Sequence, residues 1–220
     1  MDLLPETALV KTSDLDQGQW NYHGVLGWVS RQRIGMVDRL LAGVTTGRLL
    51  EVGYGSGIFM PALSRHCTTL DGIDVHDVPD RVAASLAEHG VTADLRTGSV
   101  TALPYPDASM DTVVCISVLE FVDDLDAACR ELRRVTAPGG RVVVVTPGHS
   151  AVLDLGLRLL TGERAEDTFQ GRRQRIQPTL ARHFSLGRSI AMPPLSPPVA
   201  RLYTALLLTT DRTTGPAAQG

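Results

Sequence analysis

The feature that most constrains the fold is a short apolar run that ends in an acid and three alternating glycines, LLEVGYGSG at residues 49–57. Residues 48–52, with Leu49, Leu50 and Val52, are typical of a short buried strand, and residues 58–65 have helical character. Glycine allows a sharp turn and lets bare backbone approach a ligand, because it carries no Cβ. The pattern therefore predicts a strand, a tight turn and a helix N-terminus whose free N–H groups can bind a ligand.

A second acid follows at the distance expected of a nucleoside site. Asp74 lies 17 residues beyond Gly57 and closes a second apolar run. An acid at the end of the next strand typically accepts hydrogen bonds from both ribose hydroxyls. Dinucleotide sites place glycines at the first, third and sixth positions, whereas here they stand at the first, third and fifth. The alternative is a purely structural glycine turn in another α/β protein.

The acid that precedes the turn narrows the choice of nucleoside ligand. Glu51 stands two residues before Gly53, and the resulting Glu-x-Gly-x-Gly-x-Gly pattern resembles the first motif of class I S-adenosylmethionine (SAM) methyltransferases. Residues 111–146 also resemble the type 11 methyltransferases, with a strand, Val-Leu-Glu-x-Val, a helix, Pro-Gly-Gly and a strand. The resemblance covers about residues 49–147, and it is specific for fold and cofactor rather than for substrate.

Strands and helices alternate along the chain with short connections. This alternation predicts a doubly wound, Rossmann-like α/β fold. We expect a seven-stranded, mostly parallel sheet with helices on both faces and an antiparallel last strand. The predicted helices cover residues 26–41, 58–65, 78–89 and 151–160, with another after Asp123 or Asp124, and the predicted strands cover residues 48–52, 69–75, 92–97, 110–117, 141–146, 185–191 and 201–210.

Composition excludes several classes of protein. The chain has 220 residues, 43% of them hydrophobic, with a formal net charge of −3, which does not suggest a general nucleic-acid binder. Cys67, Cys115 and Cys129 form no CxxC pair and no His/Cys cluster, so neither a disulfide framework nor a metal site is indicated. Neither a signal peptide nor a membrane span is expected. We predict a cytoplasmic protein with reduced thiols.

The domain organisation is predicted from these elements. Residues 1–25 form an N-terminal arm or cap, and residues 26–210 form the methyltransferase-like domain. Within that domain, residues 48–147 are the core and residues 148–210 supply a C-terminal lid and further strands. Residues 211–220 are small and polar, and we expect them to be a disordered tail.

The resemblance assigns a set of cofactor-binding residues. It implies that the Glu51 region and the glycine turn hold the methionine part of SAM and that Asp74 holds the ribose. Family members commonly place an aspartate against the adenine amino group, but Ser99 replaces it here. The implied cofactor residues are Glu51, Gly53, Tyr54, Gly55, Gly57, Asp74, Val75, Ser99, Val100 and Ser117.

Three residues are candidates for proton transfer during methyl transfer. The leaving group of SAM is already activated, so a protein mainly aligns the nucleophile and removes its proton where needed. The candidates are His23 on the arm, Glu120 after the fourth strand and His149 after the fifth. The alternative for His149 is an ordinary loop histidine, and the alternatives for Glu120 are binding of substrate or a hydrogen bond to the following turn.

The expected partner is a small organic acceptor. Trp20 and Tyr22 either face this acceptor or anchor the arm to the core. Arg172 belongs to an arginine-rich stretch that binds an anionic acceptor, faces an acidic partner or forms a solvated helix face. Nucleic-acid bases are not expected, because the Asn/Asp-Pro-Pro-aromatic run of base methyltransferases is replaced by Cys-Ile-Ser-Val at residues 115–118. The sequence leaves the choice between monomer and homodimer open.

Two other functions share the same sequence features. A protein of this fold can catalyse a cyclisation or rearrangement without methyl transfer, or it can bind SAM without catalysis. Both alternatives stay open at this point, although the first expectation is methyl transfer from SAM, with S-adenosylhomocysteine as the product.

Overall fold

A central seven-stranded sheet organises the computed structural model, which describes residues 3–12, 18–148, 171–194, 196–197 and 201–210. The strands are β1 (Thr46–Val52), β2 (Cys67–Asp74), β3 (Asp94–Thr97), β4 (Met110–Ile116), β5 (Thr136–Pro147), β6 (Ser185–Met192) and β7 (Tyr203–Thr209). The described α-helices are α1 (Gly24–Leu40), α2 (Met60–Leu63), α3 (Pro79–Glu88), α4 (Leu125–Val135) and α5 (Arg172–His183).

The strand order is β3-β2-β1-β4-β5-β7-β6. The first five strands pair in parallel, and β7 runs antiparallel between β5 and β6. The predicted fold is thereby confirmed, including the antiparallel last strand. Because the order reverses beside β1, a ligand crevice is expected outside the carboxyl ends of β1 and β4.

The central strands form because they are apolar on both faces. In β1, Leu49 packs into one hydrophobic cluster and Leu50 packs into the other. In β5, Val143 belongs to the first cluster, whereas Val142 and Val144 belong to the second. Continuous apolar strands of this kind are stable only when helices cover both faces of the sheet. The first cluster is closed by α1, α2 and α3, and the second is closed by α4 and α5.

Helix α4 follows its sequence pattern closely. The Asp124 carboxylate accepts a 2.8 Å hydrogen bond from the backbone N–H of Ala127 and caps the helix. The apolar residues at helical spacing, which include Leu125, Ala128 and Leu132, form its buried inner face. The helix therefore presents its polar side to solvent and holds the turn between β4 and α4 in place.

Two predicted boundaries are wrong in instructive ways. The helix expected over residues 58–65 is α-helical only at Met60–Leu63 and continues as the 3₁₀ turn Ser64–His66 before β2 begins at Cys67. The fifth strand begins at Thr136 rather than at residue 141. Its register against β4 jumps between Thr136 and Arg141, and the inserted residues include Gly139 with φ +73°. The Pro-Gly-Gly sequence is thus an irregularity within the strand rather than its start.

The N-terminal arm packs on the first cluster. Leu4 is fully buried, and its N–H donates a 3.1 Å hydrogen bond to the carbonyl of Ile58. The Ser85 hydroxyl donates to the Ala8 carbonyl at 2.6 Å. The arm therefore contacts the segment after the glycine turn as well as α3, while its role as a cap stays a prediction. The helix expected over residues 151–160 and the tail at residues 211–220 lie outside the described residues.

Within the described ranges, no helix is both long and apolar enough to cross a bilayer.

Candidate functional site

The glycine turn is tightly constrained at the end of β1. Gly53, Gly55 and Gly57 have φ values of +76°, +52° and +77°, which L-residues with a Cβ rarely adopt. A Cβ on Gly53 would also lie 2.2 Å from Cγ2 of Val118. Conformation therefore favours glycine at all three positions, and space also requires it at Gly53, where the backbone comes close to the turn after β4.

The end of β2 holds the glycine turn from both sides. The Gly55 N–H donates a 2.8 Å hydrogen bond to Oδ2 of Asp74, whose Oδ1 accepts from the N–H of Val75 at 2.7 Å. His76 Nε2 lies 3.1 Å from the Gly55 carbonyl. Since the Val78 N–H donates to Nδ1 of His76, the proton is on Nε2, and His76 donates to Gly55. The sequence analysis missed His76, for which the only signal was its position two residues after Asp74.

A cavity of about 420 Å³ opens beside this contact. It is lined by five of the predicted residues, namely Gly53, Asp74, Val75, Ser99 and Val100. It is also lined by residues that the sequence did not assign to the site, including Thr101, Val118, Phe121 and Asp123. The volume is in the usual range for small-molecule sites.

Two large apolar side chains at this cavity face solvent. Val75 is 78% exposed and Phe121 is 58% exposed. Exposed apolar groups that line a concave site are typical of a surface that a ligand covers. Such side chains can contact the faces of a flat ring, whereas the Asp74 carboxylate supplies a polar edge.

The Ser99 hydroxyl serves its own loop. Its Oγ lies 2.8 Å from Oγ1 of Thr101 and accepts a hydrogen bond from the Thr101 N–H at 3.2 Å. Because this oxygen already shapes the loop, recognition of a ligand edge near Ser99 depends more on backbone groups than on the hydroxyl.

Glu51 is a buried carboxylate at the end of β1. It is 1% exposed, and its Oε2 has no hydrogen-bond partner among the described residues. Burial and the nearby negative charge of Asp74 raise the pKa of Glu51 to about 8. A buried carboxylate is costly without a partner, so this arrangement suits a cationic ligand group. The hydroxyl of Tyr54 is also buried without a partner in the described structure, and burial raises the pKa of Tyr54.

A second buried acid lies after β4. Glu120 belongs to the 3₁₀ turn Leu119–Phe121, is 3% exposed, and has an Oε2 atom without a partner in the described ranges. Burial raises the pKa of Glu120 to about 7, although the charges of Arg173 and Arg33 oppose this shift. Such a carboxylate exchanges protons near neutral pH.

Ser117 makes the bend that separates β4 from this turn. Its φ is +55°, and its N–H donates a 2.8 Å hydrogen bond to the carbonyl of Val145. The Ser117 hydroxyl is buried without a partner among the described residues. Because the N–H is committed to β5, only the carbonyl and the hydroxyl of Ser117 can serve a ligand.

The arm residues predicted to bind or act on substrate contact the arm itself. The Tyr22 hydroxyl donates to the carbonyl of Leu4, and burial raises the pKa of Tyr22 to about 12. His23 Nε2 lies 2.8 Å from a carboxylate oxygen of Glu6. Neither residue lines the 420 Å³ cavity. The side chain of Trp20 and the whole of His149 lie outside the described residues, and their roles stay predictions.

Arg172 connects α5 to the rim of the cavity. Its guanidinium forms an ion pair with Asp123, which lines that cavity. The Arg172 side chain is 16% exposed, whereas that of Asp123 is 90% exposed. In the described part of the chain, no group of three or more His, Cys, Asp or Glu residues could hold a metal ion.

Comparison with known sequences identifies the domain type. Residues 50–144 match a family described as "Methyltransferase domain". The chain is 34% identical over 149 residues to the ubiquinone biosynthesis O-methyltransferase of Paracidovorax citrulli. This match covers 65% of this chain and 62% of that protein. It is 35% identical over 102 residues to the phosphatidylethanolamine N-methyltransferase of Cereibacter sphaeroides, and this match covers 45% of this chain and 50% of that protein. The matches thus span between half and two thirds of these relatives.

Solved structures share the fold. A SAM-dependent methyltransferase from Aquifex aeolicus superposes with a TM-score of 0.63 at 15% identity and covers 83% of this chain and 93% of its own. Geranyl diphosphate C-methyltransferase from Streptomyces coelicolor superposes with a TM-score of 0.65 at 14% identity, with coverage of 94% and 87%. At these identities the likeness concerns architecture alone.

Proposed function

Since residues 50–144 match a methyltransferase domain family, we propose that the protein is a class I SAM-dependent methyltransferase that transfers a methyl group from SAM to a small organic acceptor. The observation that carries the proposal is the contact between Gly55 and Asp74, which joins the glycine turn to the acid at the end of β2 beside a cavity of suitable volume. S-adenosylhomocysteine would be the second product.

The residues present fit the chemical groups of SAM. The buried Glu51 carboxylate lies one residue before the cavity-lining Val52, and its Oε2 atom, which has no partner among the described residues, suits the ammonium of the methionine part. The Asp74 carboxylate accepts hydrogen bonds from two backbone N–H groups, and its remaining lone pairs can accept hydrogen bonds from the ribose hydroxyls. Val75, Val100 and Phe121 supply apolar contact for the adenine ring. These matches support the assignment of the cavity as the cofactor site.

The chemistry divides between cofactor and protein. SAM supplies an activated methyl group on a sulfonium centre when it is bound. The chain has to hold the acceptor in line with that group and take up the proton that the acceptor loses. We assign to Glu120 the uptake of this proton, because the carboxylate is buried in the turn whose Phe121 lines the cavity and burial raises its pKa to about 7. His23 and His149 remain alternative bases.

The proposed acceptor is small and carries a negative charge. The arginine-rich start of α5 supports an anionic acceptor, since guanidinium groups match carboxylate and phosphate oxygens. The relatives are named as O- and N-methyltransferases, and the proposal covers attack by oxygen, nitrogen or carbon. A cytoplasmic location is part of the proposal and agrees with the free thiols of Cys67, Cys115 and Cys129.

Methyl transfer is tested with the full chain, isotope-labelled SAM and a panel of phenols, amines and organic acids. We expect saturable SAM binding by calorimetry and acceptor-dependent release of S-adenosylhomocysteine. A chain that binds NAD tightly but not SAM would contradict the proposal. Conversion of an acceptor without S-adenosylhomocysteine would instead favour a cyclisation or rearrangement.

A further inference from the structure

A second cavity lies at the same edge of the sheet as the proposed cofactor site. It has a volume of about 370 Å³ and is bordered by the end of β5, the start of β7 and the first turns of α5. Thr146 and Thr204, which face each other in the β5–β7 register, contribute buried hydroxyls. Because β7 is antiparallel, its first residues meet the carboxyl end of β5 there.

The lining of this second cavity is positively charged and rich in hydrogen-bond donors. Arg173 and Arg201 supply two guanidinium groups, and Gln174 and Gln177 supply two carboxamides. No carboxylate belongs to the lining among the described residues. Two half-buried guanidinium groups at one cavity favour an anion, because their charges are less screened than on an open surface.

The backbone holds Arg201 close to the end of β5. The Gly148 N–H donates a 2.9 Å hydrogen bond to the Leu202 carbonyl, and a Cβ on Gly148 would lie 2.1 Å from the Arg201 carbonyl oxygen. Arg201 Nε donates to the Ser196 carbonyl at 3.1 Å. This bond fixes one side of the guanidinium, whose two Nη groups can then serve a ligand.

Arg173 lines the second cavity and also lies close enough to the turn after β4 for its charge to act there. Helix α5 packs on Leu119–Phe121, and the Arg173 charge acts on the buried carboxylate of Glu120. Phe121, in the same turn, lines the 420 Å³ cavity. The turn Leu119–Phe121 therefore links the two cavities, and it gives an acceptor held in the second cavity a direction toward the proposed cofactor site.

We propose that the second cavity is the anion subsite for the methyl acceptor and that Arg173 and Arg201 bind the acceptor's carboxylate or phosphate group. The inference rests on the proposed function, because it identifies the bound anion as part of the acceptor. Arg173 and Arg201 thereby determine which acceptors are used, and neutral or cationic analogues bind more weakly.

The full chain with ¹⁵N-labelled arginine provides a direct test. Sodium phosphate and sodium benzoate are titrated separately at constant ionic strength, and the Nε–H signals are followed by NMR. We expect saturable shifts of the Arg173 and Arg201 signals with at least one of the two anions. Saturation by phosphate identifies a phosphate subsite, and saturation by benzoate identifies a carboxylate subsite.

Substitutions distinguish anion binding at a specific site from general electrostatic attraction to the arginine-rich helix. Arg201→Gln should weaken binding of the effective anion by roughly tenfold, since a charge-assisted pair is lost. Arg175→Gln is the matched control, because Arg175 is exposed on the same helix and does not line the cavity. Arg173→Lys keeps the charge near Glu120 while removing the planar fork, and it should weaken binding less than Arg201→Gln does.

Non-saturating shifts with both anions, or equal weakening by Arg201→Gln and Arg175→Gln, would overturn the subsite. SAM affinity is measured on the same samples. If the wild type binds SAM but neither anion, the subsite alone is wrong. If it binds an anion but not SAM, the proposed function is wrong while the anion site stands.

Discussion

The backbone N–H of Gly55 donates a 2.8 Å hydrogen bond to the carboxylate of Asp74. This bond joins the turn after β1 to the end of β2, and His76 holds the carbonyl of Gly55 from the other side. One carboxylate therefore shapes the glycine turn and borders the proposed cofactor cavity.

Replacement of Asp74 should weaken SAM binding through both effects. We expect Asp74→Ala to lose roughly 1.5–3 kcal/mol of binding free energy, the range for hydrogen bonds to a charged group. Isothermal titration calorimetry with SAM measures the loss. Asp77→Ala is the control, because Asp77 is exposed three residues further along the chain. Equal SAM affinity in Asp74→Ala and Asp77→Ala would remove Asp74 from the site.

Gly53 should tolerate no side chain. Gly53→Ala places a Cβ 2.2 Å from Val118 Cγ2 at a φ of +76°, so overlap adds to backbone strain. Gly90→Ala is a matched control with φ +78° and open space around the added Cβ. We expect Gly90→Ala to cost about 1–2 kcal/mol of unfolding free energy and Gly53→Ala about 1–3 kcal/mol more.

Urea denaturation measures the unfolding free energy of Gly53→Ala and Gly90→Ala. The added cost in Gly53→Ala should fall when Val118→Ala is combined with it, because the clashing methyl group is then absent. If Gly53→Ala and Gly90→Ala are equally destabilised, the overlap with Val118 does not control the turn.

Glu51 should make stability depend on pH. Its folded pKa of about 8 lies above the ordinary value of 4.5, so the unfolded chain releases this proton first as pH rises. The free energy of unfolding therefore falls as the pH rises from about 4.5 to 8. We expect Glu51→Gln to gain stability relative to the wild type between about pH 4.5 and 8, by up to about 1.4 kcal/mol per pH unit.

Denaturant unfolding at a series of pH values gives this difference directly. Glu88→Gln, on the exposed surface of α3, controls for the change in net charge. A difference between Glu51→Gln and wild type that stays constant from pH 4.5 to 8 would show that Glu51 does not retain its proton.

Glu120 should determine the pH dependence of turnover. If its carboxylate accepts the acceptor's proton, kcat/KM rises with pH through about 7, the pKa of Glu120, and then levels off. Glu120→Gln should lower kcat/KM by about 10²–10⁴-fold and abolish that rise. Glu88→Gln should keep the wild-type profile. An unchanged rise in Glu120→Gln would assign the proton to another group, with His149 the next to substitute.

The sequence predicted the sheet because its signals are local. The β-branched run of β5 and the three glycines after β1 act through the conformational preferences of neighbouring residues. The acid–glycine spacing can likewise be interpreted from the chain alone, and it points to Gly53 and Asp74, which line the cavity.

The remaining features depend on contacts between distant segments. Arg173 and Arg201 share a cavity only because β7 inserts antiparallel beside β5. Burial of Glu120, and the commitment of the Ser99 hydroxyl to Thr101, are properties of packing rather than of sequence pattern. The arm illustrates the same limit, since neither Leu4 nor Tyr22 carries a signal that identifies its partner in the sequence.

The bond from Leu4 to Ile58 has a practical consequence. Leu4 supports the carbonyl one residue after Gly57, and its side chain fills space in the core. Versions of the protein trimmed ahead of α1 would lose that donor and leave a void behind the glycine turn. Cofactor affinities compared between trimmed and untrimmed preparations would therefore report the state of the leading segment as well as the chemistry of the cavity.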